Sequence, residues 1–488
     1  MSDISIKSFD DETILKLFGA QAAEDDRPEQ LRSYFIRNKA YERASANIPL
    51  RIVVGHKGVG KSALLKMLHL EDVSKGILSI WLQPNDISRA WTVDGNFVEK
   101  VEGIKKNILT IIAEKSFEEL EIYGKPVSSI PGMNSARALL RILTKEIRNP
   151  EGASIEAQVI SEFRKKSQIK VYIDDIDRGW AATRSDIESI SALINATRDI
   201  TNQDTDSALQ FKIGIRTDAY NLVREHDESG DKFEPYRIPL TWSNHEILVM
   251  MAKRISRYFE VDFDENFYLS RESGGQREIS RFLHPIITAH FEGSGHWNNA
   301  PIHKVLLSLT RRRPRDLIKL LSGAAQNADK HGRSVISTRD LTDSFPEYSK
   351  GRISDIVSEF RSELPEIEMV VYALKPSAKT ARSRSKDYLL KNDELVGILN
   401  KIASRSSIHF KNGRRATGVS LAEFLFKVDF VIARRDLDGK IERFFYDDHS
   451  KLQSAKADFG MQWEVHPAYR WALNPRKLQD IIAELDLQ

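Results

Sequence analysis

Residues 55–62, Gly-His-Lys-Gly-Val-Gly-Lys-Ser, satisfy the pattern G-x-x-x-x-G-K-[ST] at every fixed position. The chemistry this spacing supports is phosphate binding. Gly55, Gly58 and Gly60 allow the backbone to curl until successive N–H groups converge on an anion, and a helix starting near Ser62 points its positive end at the same place. The expected cradle is Gly55, His56, Lys57, Gly58, Val59, Gly60, Lys61, Ser62 and Ala63. In it Lys61 reaches the β- and γ-phosphates and the Ser62 hydroxyl ligates Mg²⁺, so ATP and Mg²⁺ are the expected cofactors. The apolar run Leu50, Ile52, Val53, Val54 before the loop and the amphipathic stretch Ala63, Leu64, Leu65, Met67, Leu68 after it argue against an ordinary glycine turn.

A second constellation lies downstream. Ile169–Asp175, Ile-Lys-Val-Tyr-Ile-Asp-Asp, reads as a buried strand ending in two acids. Adjacent carboxylates repel unless a cation is near, which suits a metal–nucleotide site. Asp174 is placed to hold the Mg²⁺ shell, and Asp175 to polarise water as general base. A solvated acidic turn continuing into Asp177 and Arg178 is the competing reading. Phe211–Ile215 is a further strand closed by Arg216 and Thr217. A guanidinium there can sense a γ-phosphate, with Thr217 the lesser candidate and a plain surface arginine the alternative. Arg178 and Arg198 are either charge stabilisers for the transferring phosphoryl group or simply solvated and paired.

The elements needed to position these groups alternate. A strand at Leu50–Val54 is followed by a helix, a strand over Gly76–Gln83, and helices near Phe97–Glu121, Ser135–Arg148 and Ser154–Lys166, with Gly124–Pro131 a loop. The acidic strand, a helix over Arg184–Thr201 and the strand at Phe211–Ile215 complete the series. This alternation predicts an α/β fold, a parallel, doubly wound sheet sandwiched by helices, with its ligand at the carboxyl ends of the strands. Asp11–Gly19 and Pro28–Ala46 read as helices forming an N-terminal cap. From Trp242 the pattern turns helical, with Asn244–Phe259, Arg277–Phe291 and Lys304–Leu309 ahead of a helix begun by Pro314. The expected domains are 1–47, an N-terminal helical cap; 48–243, a P-loop core; 244–349, a helical lid; and 350–488, a C-terminal α+β domain.

Composition narrows the function class. At 488 residues the chain can bury several cores, and it contains no cysteine, which excludes disulfides, thiolate metal sites and thiol catalysis. Met1–Asp11 is polar and acidic, and no stretch approaches the ~18 consecutive apolar residues of a membrane span, so a cytoplasmic protein is expected, with no membrane role. With 73 Lys and Arg against 70 Asp and Glu, the net charge of +3 gives no global pull on nucleic acid. One local cluster stands out: Arg311, Arg312, Arg313 and Arg315 surround Pro314 at a helix start, where cations are unfavourable and call for an anion. Nucleotide phosphate, a nucleic-acid backbone or a salt-bridged surface would each satisfy it.

In the C-terminal part, Glu366–Leu374 reads as strand-like, Lys375–Lys386 as a polar basic stretch including Lys379, Arg382, Arg384 and Lys386, and Asp393–Ala403 and Ser420–Val428 as helices. Phe430–Arg434 and Lys440–Tyr446 form a hairpin around Asp436–Gly439. Helix, helix and hairpin suggest a winged-helix-like unit, closed by His466–Leu473. Its basic residues Lys411, Arg414, Arg415, Arg434 and Arg435 could meet DNA phosphates. Glu423, Asp429, Asp447 and Asp448 are interspersed, so packing against another domain or a protein partner is the favoured reading over DNA contact.

Taken in order, Gly55–Ser62, Ile173-Asp174-Asp175-Ile176-Asp177-Arg178, Gly214-Ile215-Arg216-Thr217 and Arg313-Pro314-Arg315-Asp316 resemble the AAA+-related P-loop ATPases of the STAND, KAP and origin-recognition type. Leu17-Phe18-Gly19, Ala23-Glu24 and Leu31–Phe35 are similar to the bacterial members, many of which belong to antiphage defence and mobile-element conflict systems. The resemblance covers about residues 10–345. It implies that Arg216 is the sensor-1 residue and Arg315 the sensor-2 arginine of the lid, that the site is commonly completed by a neighbour's arginine in a homo-oligomer, and that ATP hydrolysis drives a switch acting on a partner effector. A departure is Asp175, where many such enzymes carry Glu; a shorter base leaves open a nucleotide-gated scaffold with little hydrolysis. A DNA-remodelling ATPase, binding DNA through the Arg311–Arg315 region and the C-terminal domain, is the other alternative. The ABC-transporter signature is missing, since Leu321-Ser322-Gly323-Ala324 lacks its remainder, and no Gly-x-Ser-x-Gly elbow is present.

Overall fold

The computed structural model describes residues 6–20, 26–88, 90–91, 95–122, 169–203, 209–226, 232–271, 275–293, 297–376, 388–437, 440–446 and 461–473. They form two compact units: residues 26–240, and residues 1–25 together with 241–488. The expected helices over 135–148 and 154–166, the loop 124–131, and Lys379, Arg382, Arg384, Lys386, Asp447 and Asp448 lie outside the described residues.

The unit 26–240 is built on a parallel sheet. Its strands are β1 Leu50–Gly55, β2 Leu78–Leu82, β3 Ile169–Ile173, β4 Leu209–Arg216 and β5 Arg237–Pro239, in the order β2-β3-β4-β1-β5. Its helices are α2 Pro28–Tyr34, α3 Lys39–Ser45, α4 Lys61–Ser74, α5 Pro84–Ser88, α6 Phe97–Ile122, α7 Arg184–Gln203 and α8 Thr217–His226; α1, Asp11–Phe18, belongs to the other unit. Register aligns Gly55 with Arg216 and Ile173 with Ile213, so the strand ends carrying the phosphate loop, the acids and Arg216 share one edge. β4 lies between β1 and β3, putting the phosphate loop and the acidic strand end on either side of it.

The two faces of this sheet differ. Leu50, Ile52, Val54, Leu78, Ile80, Leu82, Ile169, Val171, Ile173, Phe211, Ile213 and Ile215 alternate onto one face and are buried in a core shared with Ile104, Ile108 and Ile111 of α6 and Leu193 and Ala196 of α7. The other parity is largely polar, Val53 and Trp81 apart. Lys170 pairs with Asp72 at 2.8 Å, the Tyr172 hydroxyl donates to Asp72 at 2.5 Å, Lys212 donates to the Ala46 carbonyl at 2.8 Å, and Ser79 bonds His69 at 2.7 Å. Asp72 and His69 both project from α4, so a hydrogen-bonded layer fixes the helix that begins at the phosphate loop.

The expected single helix over Pro28–Ala46 is two helices, α2 and α3, because Phe35 turns extended (φ −61, ψ 138) and Asn38 caps α3 by accepting from Tyr41 N at 3.1 Å.

In the other unit, α9 Asn244–Tyr258 starts from a capping box of Ser243 and Glu246, followed by α10 Glu265–Ser270 and α11 Gln276–Ile279. The helix expected over Arg277–Phe291 ends after one turn: a 3₁₀ turn at Ser280–Leu283 follows, and β6 His290–Phe291 pairs with β7 Ala300–Pro301. α12 Ile302–Ser308, α13 Pro314–Lys330 and α14 Thr338–Phe360 come next. Glu366–Leu374 is not a strand but the helix α15, Ile367–Tyr372. Its β-branched content suggested a strand, yet Ile367, Val370, Val371 and Leu374 recur at helical spacing and are all buried against Ile353, Phe360 and Leu364. The described residues continue with β8 Leu389–Leu390, α16 Asn392–Ser406, α17 Gly418–Lys427, the hairpin β9 Val431–Leu437 and β10 Lys440–Phe444, β11 Gln462–Val465 and α18 Arg470–Leu473. These strands form a sheet ordered β10-β9-β11-β8, the expected helix–helix–hairpin order with β11 paired between β9 and β8.

Candidate functional site

The phosphate loop is shaped by its glycines. Gly58 and Gly60 have φ of 86° and 96°, a left-handed backbone that side chains with a Cβ rarely adopt. Gly55 is required for space instead: a Cβ there would lie 2.7 Å from Val59 Cγ2 and 3.1 Å from the Leu240 carbonyl. Gly60 caps α4 without a side-chain bond, leaving the first N–H groups of a 14-residue helix directed outward. His56 and Val59 are buried and support the loop from beneath, while Lys57 is exposed and Gly58, Gly60, Lys61, Ser62 and Ala63 are half-buried. The Lys61 ammonium donates to the Gly55 carbonyl at 2.9 Å and the His56 carbonyl at 3.2 Å, folded over the loop it belongs to.

Asp174 follows β3 directly and is buried, with Oδ1 lacking a hydrogen-bond partner. Burial drives its pKa up to about 6, against a hydrogen bond from Ser62 and the nearby Lys61 charge, with Asp175 adding repulsion. A desolvated carboxylate oxygen beside a serine hydroxyl and a lysine at a helix N-terminus fits a hard cation held with phosphate oxygens. Among the described residues no group of three or more His, Cys, Asp or Glu could hold a metal ion; the side chains at this loop that could reach one are Ser62 and Asp174. Gly214 makes room for this carboxylate: a Cβ at 214 would stand 2.7 Å from Asp174 Oδ1 and 2.9 Å from Leu65 Cδ1.

Asp175 is exposed and takes φ 52°, a left-handed conformation that Asp tolerates better than bulkier residues. Its carbonyl accepts from Arg178 N at 2.9 Å in a tight turn. Arg216 ends β4 and is gripped by two acids, with Nε 3.0 Å from Asp177 Oδ2 and Nη2 2.5 Å from Asp218 Oδ2. Burial raises the Asp177 pKa, and Arg216 opposes the shift. Sequence reading gave Asp177 no role; its signal was the third acid, two residues after Asp175, followed by an arginine at the end of a neighbouring strand. Thr217 is buried at the start of α8. Arg178 is exposed, whereas Arg198 is largely covered, lying over Phe233 at 5.5 Å and 3.6 Å from Asp199.

The arginine cluster is answered from within. Arg311 and Arg313 are buried, so the run 311–315 does not present a row of cations to a polyanion. Arg311 bonds Asp316 at 2.7 and 2.8 Å and the Tyr469 hydroxyl at 3.1 Å, Arg313 bonds Glu359 at 3.2 Å, and Arg352 joins Asp316 and Asp355. Arg312 lies over the Phe445 ring at 4.1 Å. Arg315, second residue of α13, is half-buried and belongs to the unit that includes 241–488, not the one carrying the phosphate loop. Arg434, counted among candidate DNA-binding cations, is also buried, bonded to Asp436 at 2.7 Å, and Arg435 pairs with Glu442 at 3.2 Å.

Residues 16–107 fit the family described as ORC-CDC6-like, and residues 283–357 fit the FunZ-associated C-terminal helical domain. The core has a P-loop fold, a five-stranded parallel sheet with helices packed on it. Over 524 aligned positions the chain is 23% identical to an 80.3 kDa protein of transposon gamma-delta from Escherichia coli (strain K12), covering 96% of this chain and 70% of that protein. Among solved structures it is similar to the Aeropyrum pernix ORC2 protein in ADPNP–ADP complexes, at 12% identity and TM-score 0.42 over 93% of this chain and 92% of that one. It is also similar to the Thermotoga maritima RuvB Holliday junction branch migration motor, at 11% identity and TM-score 0.33 over 94% and 99%. No helix among the described residues is long and apolar enough to cross a membrane.

Proposed function

We propose that the chain binds ATP with Mg²⁺ at the Gly55–Ala63 loop and hydrolyses it, using nucleotide state as a switch. The observation that carries this reading is Asp174, a buried carboxylate with an unsatisfied oxygen, hydrogen-bonded by Ser62 and placed next to Lys61. In this reading the loop N–H groups and the α4 N-terminus cradle phosphate, Lys61 leaves its own loop carbonyls for the β/γ-phosphates, and Ser62 and Asp174 hold the metal. Bound Mg²⁺ would supply neutralisation of charge on the phosphate oxygens. Asp175, exposed beside Asp174, is the base that orients water. Arg216, held at the strand end by Asp177 and Asp218, is the sensor of the terminal phosphate.

The motif series and the likeness to a transposon protein support a switch serving a mobile-element or defence system through a separate effector protein, with self-assembly into an oligomer. Arg315 is the lid arginine in this scheme. The exposed, short Asp175 in place of a glutamate favours slow turnover, which suits a switch better than a motor. Steady-state ATP hydrolysis tests the reading. Wild type is expected to turn over slowly with Mg²⁺, Asp175→Ala to retain Mg–ATP binding with turnover at background, and Lys61→Ala to lose binding. Turnover undiminished in Asp175→Ala would remove the base from the account.

A further inference from the structure

We infer that Asp177 is a specificity-determining residue of the nucleotide site: its carboxylate holds the place of a terminal phosphate on Arg216, yielding to a triphosphate and staying seated with a diphosphate. The inference rests on the reading of Gly55–Ala63 as a nucleotide loop. It goes beyond that reading in making Asp177 a competitor of the ligand rather than a support for Arg216.

The two acids on Arg216 hold it differently. Asp218, buried at the start of α8, takes a side-on fork, accepting from Nε at 3.0 Å and from Nη2 at 2.5 Å. Asp177 Oδ2 stands 3.0 Å from the same Nε, whose proton points to Asp218, and this buried oxygen receives no directed hydrogen bond among the described residues. Asp218 is therefore an anchor and Asp177 a charge contact. A buried oxygen without a donor is held at a cost, so Asp177 is the partner that Arg216 can exchange while keeping its seat.

The place Asp177 occupies suits an anion. Register sets Arg216 against Gly55, and the Lys61 ammonium donates to the Gly55 carbonyl at 2.9 Å. Burial raises the Asp177 pKa, opposed first by Arg216 and then by Lys61, so the carboxylate lies in the field of both cations assigned to phosphate oxygens. Asp174, Asp175, Asp177 and Asp218 outnumber Lys61 and Arg216 around this strand edge. A further anion is repelled there unless one acid withdraws.

The chain around Asp177 allows that withdrawal. Arg178 N donates to the Asp175 carbonyl at 2.9 Å and Trp180 N to the Asp177 carbonyl at 3.1 Å, while Asp175, Gly179 and Ala182 take φ of 52°, 78° and 53°. Buried Ile176 holds the turn near β3, and Asp186, accepting from Ala181 N at 3.1 Å and Thr183 N at 3.0 Å, holds it at the start of α7. Between these holds Arg178 and Gly179 are exposed, and a Cβ at Gly179 would meet nothing within 4 Å. Trp180, half-buried against the sheet core, reports on any movement of the turn.

The test is calorimetric titration of the full chain, with Mg²⁺, by ADP and by a non-hydrolysable ATP analogue, for wild type, Asp177→Asn, Asp218→Asn and Asp177→Asn/Arg216→Ala. Asp177→Asn is expected to bind the analogue about 10-fold more tightly, because a like charge beside a phosphate in a partly buried site costs at least that. Its ADP affinity is expected to stay within about twofold of wild type, which also shows the variant folded. The gain is expected to vanish in the double variant, and Asp218→Asn, which removes the anchor, to show none. Trp180 fluorescence, taken as the difference between wild type and Trp180→Phe, needs no change at Asp177 and is expected to respond to the analogue but not to ADP. With both nucleotides bound by wild type, an analogue-to-ADP affinity ratio unchanged or lowered in Asp177→Asn, or an equal Trp180 response to the two, would overturn the role of Asp177 alone. Wild type binding neither nucleotide would overturn the nucleotide reading and this inference with it.

Discussion

Asp174 is the residue on which the nucleotide reading turns. Its folded-state pKa lies above the ordinary 3.8, at about 6, so the fold favours the protonated carboxyl. That contribution to stability is present at acid pH and is lost as pH rises through the window from 3.8 to about 6. At neutral pH, without metal, the ionised side chain then costs about 3 kcal/mol. Asp174→Asn is accordingly expected to melt higher than wild type at neutral pH when nucleotide and Mg²⁺ are withheld, with the gap closing as pH falls, while Mg²⁺-dependent ATP binding weakens. A variant less stable than wild type at neutral pH contradicts the desolvation argument. Gly214→Ala presses a methyl group against Asp174 and Leu65, and chemical denaturation is expected to show a loss of about 1–3 kcal/mol. Arg216→Ala is expected to keep Mg–ATP affinity while turnover drops by about 10²-fold; a loss of affinity with turnover intact would assign it to binding instead. That the loop and both acids share one strand edge was legible in the sequence, because alternating strands and helices bring the carboxyl ends of parallel strands together. The partners of Arg216 were not, because Asp177 and Asp218 reach it only through the turn after β3 and the start of α8.

Among the elements, period and punctuation carried most of the fold. Ile-Lys-Val-Tyr-Ile in β3 and Leu-Gln-Phe-Lys-Ile in β4 alternate, and each polar residue found a partner: Lys170 and Tyr172 on Asp72 of the phosphate-loop helix, Gln210 on the Asn47 side chain and Lys212 on the Ala46 carbonyl before β1. The sequence showed this alternation, but the fold class alone suggested strands apolar on both faces. α15 was misread because Val370 and Val371 favour strands in isolation, whereas buried contacts at helical spacing decide the matter. The arginines before Pro314 were visible as a cluster needing anions, yet those anions come from Asp316 in the same helix, Asp355 and Glu359 one helix later, and Asp429 near β9, 3.8 Å from Arg313. Asp316 is the hub: burial opposes its charge, but Arg311 and Arg352 hold its pKa far below the usual carboxylate range. Its contribution is therefore present above the ordinary value of 3.8 and persists well into acid. Asp316→Ala leaves two buried guanidiniums without their shared partner and is expected to cost about 3–5 kcal/mol in denaturant unfolding at neutral pH. A change under about 1 kcal/mol would mean that water or Asp355 replaces it. Glu464 plays a similar part in the C-terminal sheet, where burial is outweighed by Arg470, Arg443 and Arg434 and its pKa is held at about 2.

For the molecule as a whole, the chain passes from one unit into the other and back: residues 1–25 fold with 241–488, and 26–240 form the P-loop core between them. A near-neutral net charge conceals this organisation, since many described arginines of the larger unit, Arg311, Arg313, Arg352, Arg434, Arg443 and Arg470 among them, pair with internal acids while one acid-free stretch, 395–422, keeps its lysines and arginines exposed. Under the proposed switch, ATP is expected to change the mass measured by light scattering, and Lys61→Ala to abolish the change; a mass indifferent to ATP in wild type would remove self-assembly from the scheme. The central claim is that the Gly55–Ala63 loop with Asp174 is a Mg–ATP site, and calorimetric titration of ATP into the full chain tests it most directly. Binding that requires Mg²⁺, is lost in Lys61→Ala and is weakened in Asp174→Asn is the expected result. Absence of binding by wild type, or binding unaffected by Lys61→Ala, would contradict it.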